Sequence, residues 1–255
     1  MKYFRILFYI FKNNKIYFIP YYLFRGIYYK TYSFFCSNII LNIPFGRKIY
    51  YHKNPICSFF TYTYIPDKKE ILILRKEILN AKKNLTFIDV GANIGSYSIL
   101  MSDLINDIIA IEPHPTSFEH CKSNFILNNI SEKKVLNCAV GEDNKSIFFT
   151  NFEGASTINK KSKSDTGLKV SQKKLDTILD TNPSKKYLVK IDVEGFEEDV
   201  IMGMKELFKN DCIEAILFET FNFKIISKLE ELDFKVRQLS KHNYYAKKRR
   251  VGRKP

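Results

Sequence analysis

From residue 86 onward, short apolar runs alternate with amphipathic stretches, and this alternation constrains the fold more than any other feature of the 255-residue chain. The runs 86–91 (TFIDVG), 108–112 (IIAIE), 135–140 (VLNCAV), 187–193 (YLVKIDV) and 213–218 (IEAILF) read as buried strands. Segments 96–104, 116–128, 175–179, 196–208 and 224–232 carry helical spacing. Repeated strand–helix alternation predicts βαβ units, hence an α/β fold with a mostly parallel sheet and helices on both faces. Residues 234–239 and 244–248 fit a terminal antiparallel hairpin, 145–150 an extra strand, and the polar 151–168 a mobile loop.

The chain upstream has a different character. Residues 67–79 (DKKEILILRKEIL) read as a helix with Asp67 as its N-cap. Proline and glycine at Pro20, Gly26, Pro44, Gly46, Pro55 and Pro66 predict short strands and turns over 36–66. Residues 1–66 hold nine Lys/Arg, no carboxylate and 22 of the 38 aromatics. Residues 241–255 add seven Lys/Arg and again no acid, so the +14 net charge lies in two arms around a middle of net −2. The expected organisation is a basic, aromatic extension over 1–66, one domain over 67–248, and a basic tail over 249–255.

Lys2, Arg5, Tyr9 and Lys12 share one helical face, with Phe4, Leu7, Phe8 and Phe11 away from it. That pattern suits either a helix lying on an anionic membrane or one packed on the domain or on a second subunit. Five cysteines without metal spacing suggest free thiols in a reducing compartment, and no secretory signal is legible. The expected location is therefore the cytoplasm, peripheral at the inner membrane face if residues 1–35 bind lipid.

The first strand of the alternating region runs through Asp89-Val-Gly91-Ala-Asn93-Ile-Gly95 into a helix. Gly91 and Gly95 permit a tight turn and close ligand approach, and Asn93 tolerates left-handed backbone. Glu112, 21 residues after Gly91, ends the second strand where a carboxylate meets ribose hydroxyls. A glycine turn plus an acid serves nicotinamide cofactors or S-adenosylmethionine. The stretch does not match GxGxxG, and Asp89 would repel a pyrophosphate, so adenosylmethionine is favoured.

These motifs resemble the FkbM-type S-adenosylmethionine-dependent methyltransferases. The resemblance lies in FIDVGANIGSYS (87–98), IEPHPTSFEHCKSN (111–124), NCAVGE (137–142), KIDVEGFEEDVIMG (190–203) and ILFE (216–219), within about 82–248. It implies a Rossmann-like class I methyltransferase sheet with a reversed last strand, and O-methylation of a hydroxyl on a sugar or related product. Carried over by position, Asp89, Gly91, Asn93 and Gly95 would hold the methionine end. Glu112 would take the ribose, and the Cys138–Ala139 backbone would flank the adenine. His114 either lines that pocket or serves only the turn.

Lys190, Asp192 and Glu194 sit at i, i+2 and i+4, one face of a strand end. Ionisable groups on an apolar strand are costly unless paired or functional. Methyl transfer to a hydroxyl needs alignment and removal of its proton. Asp192 is the first candidate for base or substrate anchor and Glu194 the second. Lys190 orients a carboxylate, and Glu219 completes a cluster. The structural alternative makes Lys190 a salt-bridged residue and Glu194 a helix cap. Divalent-metal binding by these carboxylates is left open. Ser156, Thr157 and the lysines of 151–168 suit a polar acceptor, and His242 is a remote contributor.

The reading is an O-methyltransferase of polysaccharide biosynthesis, acting on a sugar or glycolipid precursor. A nucleic-acid methyltransferase is disfavoured, because the middle is negative and lacks an Asn/Asp-Pro-Pro-Tyr-like motif. A cofactor-binding module without turnover is the remaining alternative.

Overall fold

The computed structural model describes residues 16–36, 38–52, 55–63, 65–81, 85–152, 155–158, 168–220 and 222–249. The expected surface helix at 2–12, and the tail beyond residue 249, lie outside them.

The chain enters through a short 3-10 turn into α1 (Ile19–Tyr32), then a hairpin of β1 (Ile40–Ile43) and β2 (Arg47–Tyr50). Helices α2 (Pro55–Tyr62) and α3 (Lys68–Asn80) follow. The segment 36–66 is thus not only strands and turns. Pro20 and Pro55 start helices instead of breaking them, because the first helical turn needs no proline N–H. Gly26 stays inside α1, where a Cβ would meet the Tyr62 ring at 2.0 Å, so α1 and α2 pack through it.

Next come β3 (Leu85–Val90), α4 (Ser96–Met101), β4 (Ile108–Ile111) and α5 (Pro115–Leu127). The expected strand over 135–140 is divided. β5 (Val135–Leu136) pairs with β4, whereas β6 (Ala139–Val140) leaves for a second, smaller sheet. That sheet contains β7 (Lys145–Phe152), β8 (Ala155–Ile158) and β9 (Leu168–Lys173) in the order β6-β9-β7-β8. The expected loop over 151–168 therefore includes strand at both ends and β8, where Ser156 and Thr157 pair with Asn151 and Thr150 of β7. Residues 159–167 lie outside the described ones.

The chain continues through α6 (Leu175–Ile178), β10 (Lys186–Ile191), α7 (Glu197–Met202), α8 (Lys205–Lys209) and β11 (Ile213–Glu219). The single helix expected over 196–208 is broken at Gly203. There the Asp176 carboxylate accepts the Glu206 and Leu207 backbone N–H groups at 3.0 Å and caps a new helix start. Helix α9 (Lys224–Glu231) and the hairpin β12 (Phe234–Gln238) and β13 (Asn243–Lys248) close the fold.

The main sheet has the order β12-β13-β11-β10-β3-β4-β5. β5, β4, β3, β10 and β11 are parallel neighbours, and β13 runs antiparallel to both β11 and β12. This is the α/β, Rossmann-like arrangement with a reversed terminal strand. Alternate residues of each strand serve opposite faces: Phe87, Leu188 and Leu217 join one buried cluster, and Ile88, Val189 and Phe218 the other. The first cluster also contains Leu41, Ile49, Cys57 and Phe60, so the hairpin and α2 share the core of the 85–248 sheet. Each such enclosed side chain contributes about 1.5–3 kcal/mol. Buried Asn124 fastens the hairpin to the glycine loop, accepting from the Tyr50 N–H at 2.7 Å and donating to the Ile94 carbonyl at 3.0 Å.

All five cysteines are free thiols, four of them buried. Among the described residues no helix is long and apolar enough to cross a membrane. From β3 the strand order proceeds to β4 and β5 on one side and to β10 and β11 on the other. The crevice beyond the carboxyl ends of β3 and β10 is the place where such sheets bind ligands.

Candidate active site

A cavity of about 470 Å³ fills that crevice, within the size range of small-molecule sites. Gly91, Asn93, Glu112, Cys138, Ala139, Lys190, Asp192, Glu194 and Glu219 all line it. Asp89 and Gly95 do not: they stand behind the wall and shape it.

Gly91 (φ +75°) turns the chain off β3, and a Cβ there would lie 1.8 Å from the Asp192 carbonyl oxygen. Gly95 (φ +80°) leads into α4, where a Cβ would meet the Cys121 sulfur at 2.7 Å. Asn93 takes φ +52°, and its N–H donates to Glu112 Oε2 at 2.8 Å; the His114 N–H donates to Oε1 at 2.8 Å. Each Glu112 oxygen keeps a second acceptor position, which suits a pair of vicinal hydroxyls. Burial pushes this carboxyl up to about 6 against the effect of those two bonds. His114 acts at the turn, its Nδ1 accepting the Ser117 N–H as the cap of α5. A nucleoside carrying a sulfonium needs a diol acceptor, apolar walls and negative charge. Glu112, then Val90, Ile111 and Val140, then the carboxylates described next, meet those needs.

Lys190 stands opposite Asp89 in the parallel register of β10 and β3. Asp89 is fully buried, and its Oδ2 accepts from the Ser98 hydroxyl at 2.8 Å and the Ser98 N–H at 3.1 Å. The Lys190 ammonium lies 3.4 Å from Asp89 Oδ1, 3.3 Å from Asp192 Oδ2 and 3.4 Å from the Gly91 carbonyl. It also sits 4.7 Å above the Tyr97 ring. Burial works to lower its pKa, but Asp192 and Asp89 outweigh burial and hold it above the ordinary lysine value.

The strand-face spacing ends earlier than the sequence suggests. β10 stops at Ile191, the Asp192 N–H bonds to the Val90 carbonyl, and Glu194 adopts φ +52°. Glu194 reaches the cavity through this turn and makes no cap: the Gly195 N–H is taken by Glu197 Oε1 at 2.9 Å. Burial, then the Asp192, Glu194, Glu197 and Asp67 carboxylates, push Glu219 up to about 7. Burial and Asp192 raise Glu194 as well.

Sequence spacing misses two members of the site. Asp67 is the N-cap residue of α3 by position, its carbonyl accepting the Ile71 N–H, but it takes a left-handed φ of +48° and its side chain makes no cap bond. It lines the cavity and accepts from the Tyr97 hydroxyl at 3.4 Å. Although the residue as a whole is exposed, the protein packed around its carboxyl, followed by Glu70 and Asp192, pushes it up to about 6. Its signal is that it is the first acid in the chain. Tyr97 lies inside the glycine-loop motif, in the first turn of α4. Of the described residues lining the cavity, five are carboxylates and Lys190 is the sole cation. His242 is not among them; its carbonyl accepts the Thr220 N–H. Among the described residues no three His, Cys, Asp or Glu side chains are grouped to share a metal ion.

The family described as Methyltransferase FkbM domain matches residues 89–244, from the buried aspartate of the glycine loop to the last strand. The chain belongs to the FkbM methyltransferase family. This FkbM methyltransferase is 27% identical to Methyltransferase 1 of Beauveria bassiana over 200 residues, 66% of this chain and 80% of that protein. It is 27% identical to Methyltransferase sdnD of Sordaria araneosa over 179 residues, 54% of this chain and 69% of that one. Among solved structures it is similar to a precorrin-6y C5,15-methyltransferase from Geobacter metallireducens (TM-score 0.41, 15% identity, 72% of this chain and 90% of that one). It is also similar to a Pyrococcus abyssi tRNA (uracil-54, C5)-methyltransferase (TM-score 0.44, 11% identity, 82% of this chain and 43% of that one). Likenesses so distant carry no argument about the site or its acceptor.

Proposed function

We propose that this FkbM methyltransferase uses S-adenosylmethionine to O-methylate a hydroxyl of a sugar, or of a glycan or glycolipid precursor. The observation that carries the reading is one cavity with two chemically different ends. At one end Glu112 offers acceptor positions for a ribose diol, beside the Cys138–Ala139 backbone and the Val90, Ile111 and Val140 side chains. At the other, Asp192, Glu194 and Glu219 gather at the ends of β10 and β11. The cofactor supplies an electrophilic methyl group on a sulfonium.

The chain's own residues supply position and a proton acceptor. Lys190 holds Asp192 in place, and Asp192 anchors the acceptor by accepting a hydrogen bond from a hydroxyl beside the reacting one, which aligns the reacting oxygen. Glu219, poised at about 7, takes the proton that the reacting hydroxyl releases, where the match to working pH favours general-base catalysis. Both groups line the same cavity, so the anchor and the base serve one bound acceptor.

The test is incubation of the intact protein with methyl-labelled adenosylmethionine and fractionated cell extract. The expected product is a labelled methyl ether in a carbohydrate-containing fraction. Label in nucleic acid would overturn the acceptor class. Cofactor binding without consumption in any fraction would overturn turnover itself.

A further inference from the structure

The most continuous apolar surface among the described residues lies on α1 and its flanks. Ten of the seventeen large exposed apolar or aromatic residues fall between Ile16 and Phe35. Tyr21, Phe24, Tyr28 and Tyr32 recur at i, i+3, i+7 and i+11, a single stripe along the helix, with exposed Tyr17 in the 3-10 turn before it. Phe24, Tyr28 and Tyr32 stack in sequence, with ring centroids 6.4 Å and 5.6 Å apart. The opposite side, with Ile19, Tyr22 and Gly26, is buried.

Charge decides what this stripe meets. The 66 residues around it carry nine Lys/Arg and no carboxylate. A second copy placed face to face would bring the same acid-free segment against itself, and like charges there repel. An anionic lipid surface has the complementary sign and takes aromatic rings at the depth of its headgroups. The 14-residue helix is about 21 Å long, short of the hydrocarbon thickness, so it can lie on a bilayer and not cross it.

We infer that α1 docks this enzyme on an anionic membrane, its Tyr/Phe stripe seated at the boundary between headgroups and acyl chains. Two contacts tie the helix to the body. Tyr62 of α2 fills the space above Gly26, and Arg25 Nη2 donates to the Asn42 carbonyl at 3.0 Å. The same α2 gives Ile56, Phe59 and Phe60 to the cavity wall, so the bilayer contact stands one helix away from the site. Delivery of a lipid-linked acceptor follows from this placement and rests on the proposed function; the docking itself does not.

Sedimentation of the full chain with phosphatidylcholine–phosphatidylglycerol vesicles tests the inference. At low salt the protein pellets with these vesicles and not with pure phosphatidylcholine, and high salt releases it. The variant Tyr21→Ser/Phe24→Ser/Tyr28→Ser changes only exposed residues, so it keeps the wild-type melting temperature while vesicle affinity falls roughly tenfold or more. The chain has no tryptophan, so Phe24→Trp adds a single indole whose emission shifts to the blue on anionic vesicles. Intact protein left in the supernatant at low salt, a triple variant that binds as wild type, or an unshifted indole would each overturn the inference. A dimer dissolved by the triple variant, with no vesicle binding, would do so in favour of a second copy. None of these outcomes depends on methyl transfer.

Discussion

Lys190 and Asp89 face each other across the parallel pair β10–β3, ammonium to carboxylate at 3.4 Å, with 5% and 0% of their surfaces exposed. Two charges this deep persist because each answers the other and because Ser98 and the Gly91 carbonyl take up remaining hydrogen-bond positions. Replacing Lys190 by Met leaves Asp89 charged and alone. The expected loss is about 3–5 kcal/mol in urea denaturation. Adding Asp89→Asn removes the orphaned charge while an amide oxygen still accepts from Ser98, so part of the stability returns. Equal stability of Lys190→Met and wild type would mean that the pair holds nothing together.

Gly91 is held where its α-carbon has no room for a methyl group. Gly91→Ala combines a positive φ of 75° with overlap against the Asp192 carbonyl, and about 2 kcal/mol or more of stability should be lost. Gly195 is the internal control. Its φ is +100°, yet a Cβ there meets nothing within 4 Å. Gly195→Ala therefore carries the backbone strain alone and costs less. Parallel denaturation curves of the two variants check the difference.

The strands were legible because those buried on both faces read as unbroken apolar runs. The glycine loop was legible because its turn demands a small vocabulary of residues. What stayed hidden depends on partners distant in sequence. Nothing near Gly203 announces that Asp176 caps a helix there. Nothing in VLNCAV shows that the strand leaves one sheet at Asn137, whose side chain donates to the Glu112 and Pro113 carbonyls, and joins another at Ala139. Asp67 has the spacing of an N-cap and becomes a site residue only because the fold brings it to Tyr97 and Asp192. Lys190, Asp192 and Glu194 were found from strand periodicity, although a turn, and not the strand, delivers Glu194.

The proposed base Glu219 should tie activity and stability to pH in opposite ways. As the proposed base, it should give wild-type kcat/KM a rise with pH through about 7. Glu219→Gln should remove that limb and lower transfer by roughly 10²–10⁴-fold while leaving cofactor affinity in place. For stability, the folded carboxyl holds its proton above the ordinary value of 4.5. Its contribution is complete below 4.5 and is lost as pH rises through about 7. Glu219→Gln should therefore melt like wild type at low pH and above it near pH 8. Screening by solvent at the cavity wall limits the gain to roughly 1 kcal/mol. Melting curves across this range, beside a pH–rate profile, check both halves.

In the proposed division of the cavity, the Glu112 end holds cofactor and the Asp192 end performs the chemistry. Calorimetric titration of adenosylmethionine into wild type, Glu112→Gln and Asp192→Ala tests it directly. Glu112→Gln keeps an oxygen for the Asn93 or His114 N–H but loses a charged acceptor, so affinity should fall roughly ten- to a hundredfold. Asp192→Ala should bind the cofactor within about threefold of wild type, even though it no longer transfers methyl. Undiminished affinity in Glu112→Gln, or affinity lost with Asp192, would contradict the division.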